Sequence, residues 1–165
     1  MKKRIIIAVN STWNLINFRI GLIQGLLNAG YEVVALSPTD EYVPRLKELG
    51  CRHVHLKIDS QSKHIVEELL LFLRFRRLLK KHMPDIFLGF TVKPNIYGSI
   101  AAQSLGIPVI NNIAGLGSVF VKASWLSHLV RALYRLALLR SDKIFFQNKD
   151  DRLEFIGQGV VKTHL

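Results

Sequence analysis

Runs of branched and aromatic residues recur along the chain as RIIIAV (4–9), YEVVALS (31–37), HVHLKI (53–58), DIFLGF (85–90), IPVINNI (107–113) and KIFFQN (143–148). Most are nearly continuous in hydrophobicity, as expected of strands covered on both faces of a parallel sheet. Between them the apolar spacing changes to three and four residues, which predicts helices over about 18–29, 43–49, 64–82, 95–105 and 124–140. Gly30, Gly50 and Gly106 each follow such a segment, where a left-handed terminating residue costs least as glycine. Pro84 stops the third helix just before the next strand. This alternation predicts an α/β fold, a Rossmann-like doubly wound parallel sheet. Right-handed crossovers give it the strand order 3-2-1-4-5-6.

Ligands of such sheets bind beyond the carboxyl ends of the strands, above all between the first and fourth, where strand order reverses. The two connections there are NSTWNLIN (10–17), read as a loop entering a helix at Phe18 and Arg19, and TVKPN (91–95). The first has no glycine before Gly21 and carries Trp13 where a dinucleotide site would need slim backbone, which argues against nicotinamide and flavin cofactors. There is no phosphate-loop motif and no spaced Cys/His cluster for a metal, and His53 and His55 read as a structural pair on one strand face.

The second connection is richer. Gly89 and Gly98 permit close backbone approach, Pro94 sets a turn or a first helical residue, and Asn95 is placed to cap the helix that follows. Lys93 then stands by a helix N-terminus, which favours a phosphate or sugar oxygen; a solvated lysine beside a plain helix start fits the local sequence equally well. After the fifth strand, Asn111, Asn112, Gly115 and Gly117 suit a hydroxyl-rich ligand, or else a turn whose asparagines satisfy local backbone. Asn148 or Asp150 can cap a short final helix.

With 165 residues, 49% of them hydrophobic and 21% charged, the chain is one domain able to bury a core without disulfides. Its single cysteine, Cys51, lies among apolar neighbours and reads as a buried thiol in a reducing compartment. RIIIAV is too short for the apolar stretch of a signal peptide, and no stretch approaches the ~20 apolar residues that span a bilayer. The formal charge of +11 points to an anionic partner. Two segments combine cations with apolar and aromatic residues. One carries Arg74, Arg76 and Arg77, the other Trp125, Arg131 and Arg135, a composition suited to an anionic membrane surface and also to core-packed helices with solvated basic faces. Nucleic acid is the weaker alternative, since no RNA- or DNA-binding motif is present.

Three stretches, RIIIAVNSTWNLINFRIGLIQGLLNAGYEVVALSP, PDIFLGFTVKPNIYGSIAAQSLGIPVINNIAGLGSVF and KIFFQNKDD, resemble the N-terminal domain of family 4-type glycosyltransferases of GT-B architecture, particularly those acting on lipid-linked oligosaccharides for capsule, O-antigen or protein glycosylation. The resemblance implies that residues 1–165 form the acceptor-side domain and that a C-terminal donor-binding domain, with its glutamate motif, has no counterpart here. It implies a nucleotide-sugar donor without a catalytic metal or other cofactor, a lipid-linked or polysaccharide acceptor, and a cytoplasmic protein peripheral to the inner face of the cell membrane. Asn10, Ser11, Arg19, Lys93, Asn95, Asn112, Gly115 and Gly117 would bind substrate, with Lys93 and Arg19 as phosphate partners. No catalytic base is identified, and the isolated chain is expected to be inactive. The alternatives are a noncatalytic membrane-recruiting subunit that works with a separate donor-binding chain, and a fragment of a UDP-sugar epimerase-like enzyme.

Overall fold

The computed structural model describes residues 2–60, 62, 64–114 and 125–161, with backbone alone at Trp125 and Leu126. Six parallel strands, β1 (Arg4–Ala8), β2 (Glu32–Ser37), β3 (Arg52–His55), β4 (Ile86–Phe90), β5 (Val109–Ile113) and β6 (Lys143–Phe146), form one sheet in the order β3-β2-β1-β4-β5-β6. The order is the expected one. β1 lies between β2 and β4, with Ala8 in register with Leu36 on one side and with Gly89 on the other.

Successive residues of each strand feed opposite layers. Ile5, Ile7 and Val9 pack with Leu15, Ile23 and Leu46, whereas Ile6 and Ala8 pack with Leu71, Phe75 and Leu79. Both faces of the central strands are therefore apolar, which is why the sequence shows continuous runs rather than alternation. The first layer is carried by α1 (Thr12–Phe18), α2 (Ile20–Asn28) and α3 (Val43–Glu48). The second is carried by α4 (Ile65–His82), a π-helical turn (Pro94–Gly98), α5 (Ser99–Gln103) and α6 (Trp125–Leu138); α7 (Lys149–Gly157) closes the described chain.

Local chemistry sets the boundaries. Gly30, Gly50 and Gly106 adopt positive φ after their helices, and Asn148 caps α7 by accepting the backbone N–H of Asp151 at 2.7 Å. α4 ends at Met83, itself left-handed at φ 43°, just before Pro84.

Two expectations need correction. The segment 10–17 is not a loop: Ser11 accepts the N–H of Asn14 at 3.3 Å and starts α1 at Thr12, and Arg19, at φ −132°, breaks the chain before α2. Asn95 does not cap a helix, because it lies inside the π-helical turn with its side chain buried.

That burial is part of a polar network inside the domain. Asn111, fully buried on β5, donates to Asn95 Oδ1 and Ser99 Oγ, both at 2.8 Å, and accepts from Ser141 Oγ at 2.6 Å. Asn95 in turn donates to the Asn112 carbonyl at 3.0 Å. Gly89 is required beside it, since a Cβ there would stand 2.7 Å from Asn95 Oδ1; at Gly98 it would meet the Phe87 ring at 2.4 Å.

Replacing Asn111 by alanine strands the buried Asn95 Oδ1 and Ser99 Oγ and leaves Ser141 only its longer bond to the Ala137 carbonyl, so Asn111→Ala is expected to lower unfolding free energy in urea by about 2–4 kcal/mol. Burial pushes the Cys51 thiol up to about 12. At about pH 8 it stays protonated, and an aromatic disulfide reagent is expected to label it only as fast as the protein unfolds.

Candidate functional site

The carboxyl ends of β1 and β4 open onto a cavity of about 270 Å³ whose wall mixes the polar residues Asn10, Asn14, Ser60, Thr91, Lys93 and Asn95 with Val92 and Ala114, and Tyr134 reaches in from α6. This is where the strand order reverses, the position that doubly wound sheets use for ligands. The β1–α1 turn on one side is held rigidly. Thr12, fully buried, bonds Ser37 Oγ at 2.8 Å and donates to the Pro38 carbonyl at 2.9 Å, and the Trp13 N–H donates to Asp40 at 3.1 Å.

On the other side Thr91 follows β4 at φ 62°. A β-branched residue held there stores on the order of 1–3 kcal/mol of strain, a pattern concentrated at binding sites. Its Oγ1 is buried without a hydrogen-bond partner in the structure, and so is Asn14 Oδ1. Each such atom costs about 1–3 kcal/mol unless something supplies a bond.

Lys93 is not a free cation. Its Nζ donates to Glu68 Oε1 at 2.5 Å and to the Ser62 carbonyl at 2.9 Å, and both side chains of the ion pair are about 85% buried, with 14% and 15% exposed. Burial, together with the neighbouring charge and hydrogen bond of Glu68, raises the Tyr97 phenol well above its ordinary value. Lys93, Glu68 and Tyr97 thus form one polar cluster that ties the chain after β3 to α4 and the π-helical turn.

Arg19 takes a different place. Its guanidinium lies 4.9 Å from the centroid of the Phe90 ring, donates to the Phe18 carbonyl at 2.9 Å and reaches Asn112 Oδ1 at 3.5 Å, leaving Nε buried and unpartnered. Burial lowers its pKa, a cost that an anion would offset. Arg19 and Asn112 edge a larger apolar groove of about 420 Å³ that runs down the α2 face of the sheet past Leu88 and Ile110 to Ile5 and Ile86. That groove lies along the flank of the strands. The smaller cavity, with more polar groups in its wall, lies over their ends and is the better candidate site.

The structure therefore brings Asn10, Lys93 and Asn95 to one cavity, sets Arg19 and Asn112 beside a second, and uses Ser11 as a helix cap. Gly115 and Gly117 lie outside the described residues. Asn14, Thr91 and Glu68 were missed from sequence: Asn14 belongs to a helix read as a loop, Glu68 lies 25 positions from its partner, and no motif marks a threonine at positive φ.

Of the basic residues, Arg74 pairs with Glu67 at 3.6 Å, Arg131 bonds Ser127 at 3.2 Å, and Arg135 donates to the carbonyls of Gly159 and Gln158 at 2.8 and 3.2 Å, while Arg76 and Arg77 are exposed. The side chain of Trp125 lies outside the description. Among the described residues no helix is long and apolar enough to cross a membrane, and no group of three metal-ligating side chains comes together.

Residues 4–148 match the family described as Glycosyl transferase 4-like. The chain is similar, at 27% identity over 143 residues, to the N,N'-diacetylbacillosaminyl-diphospho-undecaprenol alpha-1,3-N-acetylgalactosaminyltransferase of Campylobacter jejuni, covering 84% of this chain and 38% of that protein. It thus spans well under half the length of that relative. Among solved structures it shares its fold with a putative UDP-N-acetylglucosamine 2-epimerase of Listeria monocytogenes (TM-score 0.68, 15% identity, 96% of this chain and 42% of that one). A glycosyltransferase of Rickettsia africae is similar at TM-score 0.66 and 16% identity, over 94% of this chain and 39% of that one.

Because Lys93 and Glu68 screen each other in a largely buried setting, Lys93→Met is expected to cost roughly 2–4 kcal/mol by leaving the carboxylate unpaired. The double variant Lys93→Met, Glu68→Leu should recover most of that loss in urea unfolding. A double-mutant cycle with no coupling would show that the pair is not formed.

Proposed function

Since this chain belongs to the glycosyl transferase 4-like family, we propose that it is the acceptor-binding, membrane-facing half of a glycosyltransferase that moves a sugar from a nucleotide-sugar donor to a lipid-linked or polysaccharide acceptor. The observation that carries this reading is the cavity at the strand-order reversal, with the unpartnered neutral oxygens of Asn14 and Thr91 in its wall, set in a chain whose relative is named for a sugar linked through diphosphate to a prenol. Asn10, Asn14, Thr91 and Asn95 face the acceptor, and Arg19, desolvated and with a free Nε, is the phosphate partner. The donor is held by a second domain. Alignment of acceptor hydroxyl and donor supplies the rate, so the chain alone turns nothing over.

Membrane contact is assigned first to α4. Ile65, Val66, Leu69, Leu70 and Leu73 are exposed at helical spacing and make one outward apolar stripe, with Ile65 75% and Leu69 58% accessible. Arg76, Arg77, Lys80 and Lys81 follow it, all exposed. An apolar stripe ending in cations suits the boundary of an anionic bilayer. α6 is the weaker surface, because Arg131 and Arg135 are engaged within the domain.

The epimerase reading rests on likeness of fold at 15% identity, while the family match favours transfer. Interconversion of UDP-sugars by the chain would reverse that preference.

The test is co-sedimentation with vesicles, either anionic or zwitterionic, across a salt series. Binding is expected to need anionic lipid, to weaken as salt rises, and to fall about tenfold or more in Leu69→Glu. No binding to anionic vesicles at low salt would remove the membrane-facing role.

A further inference from the structure

The charge at the cavity decides which part of a substrate can enter it. Its cation, Lys93, is cancelled by Glu68 at 2.5 Å and holds the Ser62 carbonyl with a further proton. The other polar side chains of the wall, Asn10, Asn14, Ser60, Thr91, Asn95 and Tyr134, carry no charge at neutral pH. Asn95 is already engaged, donating to the Asn112 carbonyl and accepting from Asn111. Among the buried polar atoms of the wall, those lacking a bond are Asn14 Oδ1, which can only accept, and the Thr91 hydroxyl, which can donate or accept.

A phosphate at neutral pH brings acceptor oxygens and negative charge. It would face the Asn14 oxygen without a proton to share, and it would find the charge of Lys93 already neutralised by Glu68, with one N–H of the ammonium left to offer. A sugar ring brings hydroxyl or amide donors and no charge, so it satisfies both orphans and leaves the ion pair intact. A volume of about 270 Å³ lies just below the usual range for drug-sized ligands, which suits one ring rather than a chain.

We propose that this cavity selects a single uncharged, hydroxyl-bearing sugar ring and rejects phosphate, with Asn14 and Thr91 as the specificity-determining residues and the Lys93–Glu68 pair as the element that keeps the site neutral. The proposal rests on the acceptor-side reading above. It makes the cavity the seat of the sugar and sends any phosphate elsewhere.

The experiment is an amide-shift titration of the isotope-labelled full chain with methyl α-glucoside and methyl N-acetyl-α-glucosaminide as neutral probes and inorganic pyrophosphate as the anionic one. At least one glycoside is expected to shift amides around Asn10, Thr91 and Lys93 saturably, while pyrophosphate leaves them in place. Thr91→Gly and Asn14→Ala should each weaken the glycoside about five- to tenfold, the loss of one hydrogen bond. Thr91→Gly relieves the positive φ, so a loss of binding there cannot be assigned to unfolding. In Glu68→Gln, which leaves Lys93 uncancelled, pyrophosphate should now shift the same amides.

Pyrophosphate shifting those amides in the unaltered chain would overturn the proposal. So would absence of binding by both glycosides, or binding indifferent to both substitutions. Vesicle binding retained alongside any of these results would locate the failure in the sugar assignment rather than in the membrane-facing acceptor domain.

Discussion

The buried amide of Asn111 is the contact on which the carboxyl end of this domain depends. An amide with no access to water must find partners, and it finds them on separate elements: Asn95 in the π-helical turn, Ser99 in α5, and Ser141 just before β6. One polar side chain on β5 thereby places the turn, the helix behind it and the entry to the last strand relative to the sheet. Asn95 extends the same network to the Asn112 carbonyl, so the floor of the candidate site is built from hydrogen bonds.

That constraint explains the glycine spacing of GFTVKPNIYG. Gly89 clears room for the Asn95 and Asn111 amides, and Gly98 lets the π-helical turn settle on Phe87 and Phe75. Both glycines serve packing inside the domain, and the strain of the segment is carried by Thr91, the residue between strand and turn. Rigidity behind the site and strain at its edge belong together: the network holds the backbone firmly enough for an unfavourable φ to persist.

Charge is divided in a related way. The chain carries a formal +11, yet the cavity over the strand ends is neutral, because its lysine is paired and its other polar groups are amides and hydroxyls. Unpaired positive charge lies instead on the outer surface, as at Arg76, Arg77, Lys80 and Lys81 beyond the outward apolar stripe of α4, and at Arg19, over the Phe90 ring. Net charge thus describes the outer surface of the domain and misdescribes its site.

The sequence by itself determined the sheet. Apolar runs of strand length, helical spacing between them, and glycines after the helices specify six parallel strands in a doubly wound order, because each signal is local and depends on periodicity and backbone freedom. It also located the strand ends that matter and the residues Asn10, Lys93 and Asn95 that meet there. Pairings across long chain separations were not legible. Neighbouring asparagines look alike in sequence, and only the register of Gly89 with Asn111 and Phe90 with Asn112 turns the first into the core and leaves the second beside Arg19. Lys93 reads equally as an anion ligand or a solvated cation until Glu68 is brought to it by the packing of α4. Periodicity is a property of the chain, whereas the partner of a charge or an amide is a property of the packed molecule. The tertiary structure therefore decided which polar groups remain free to bind.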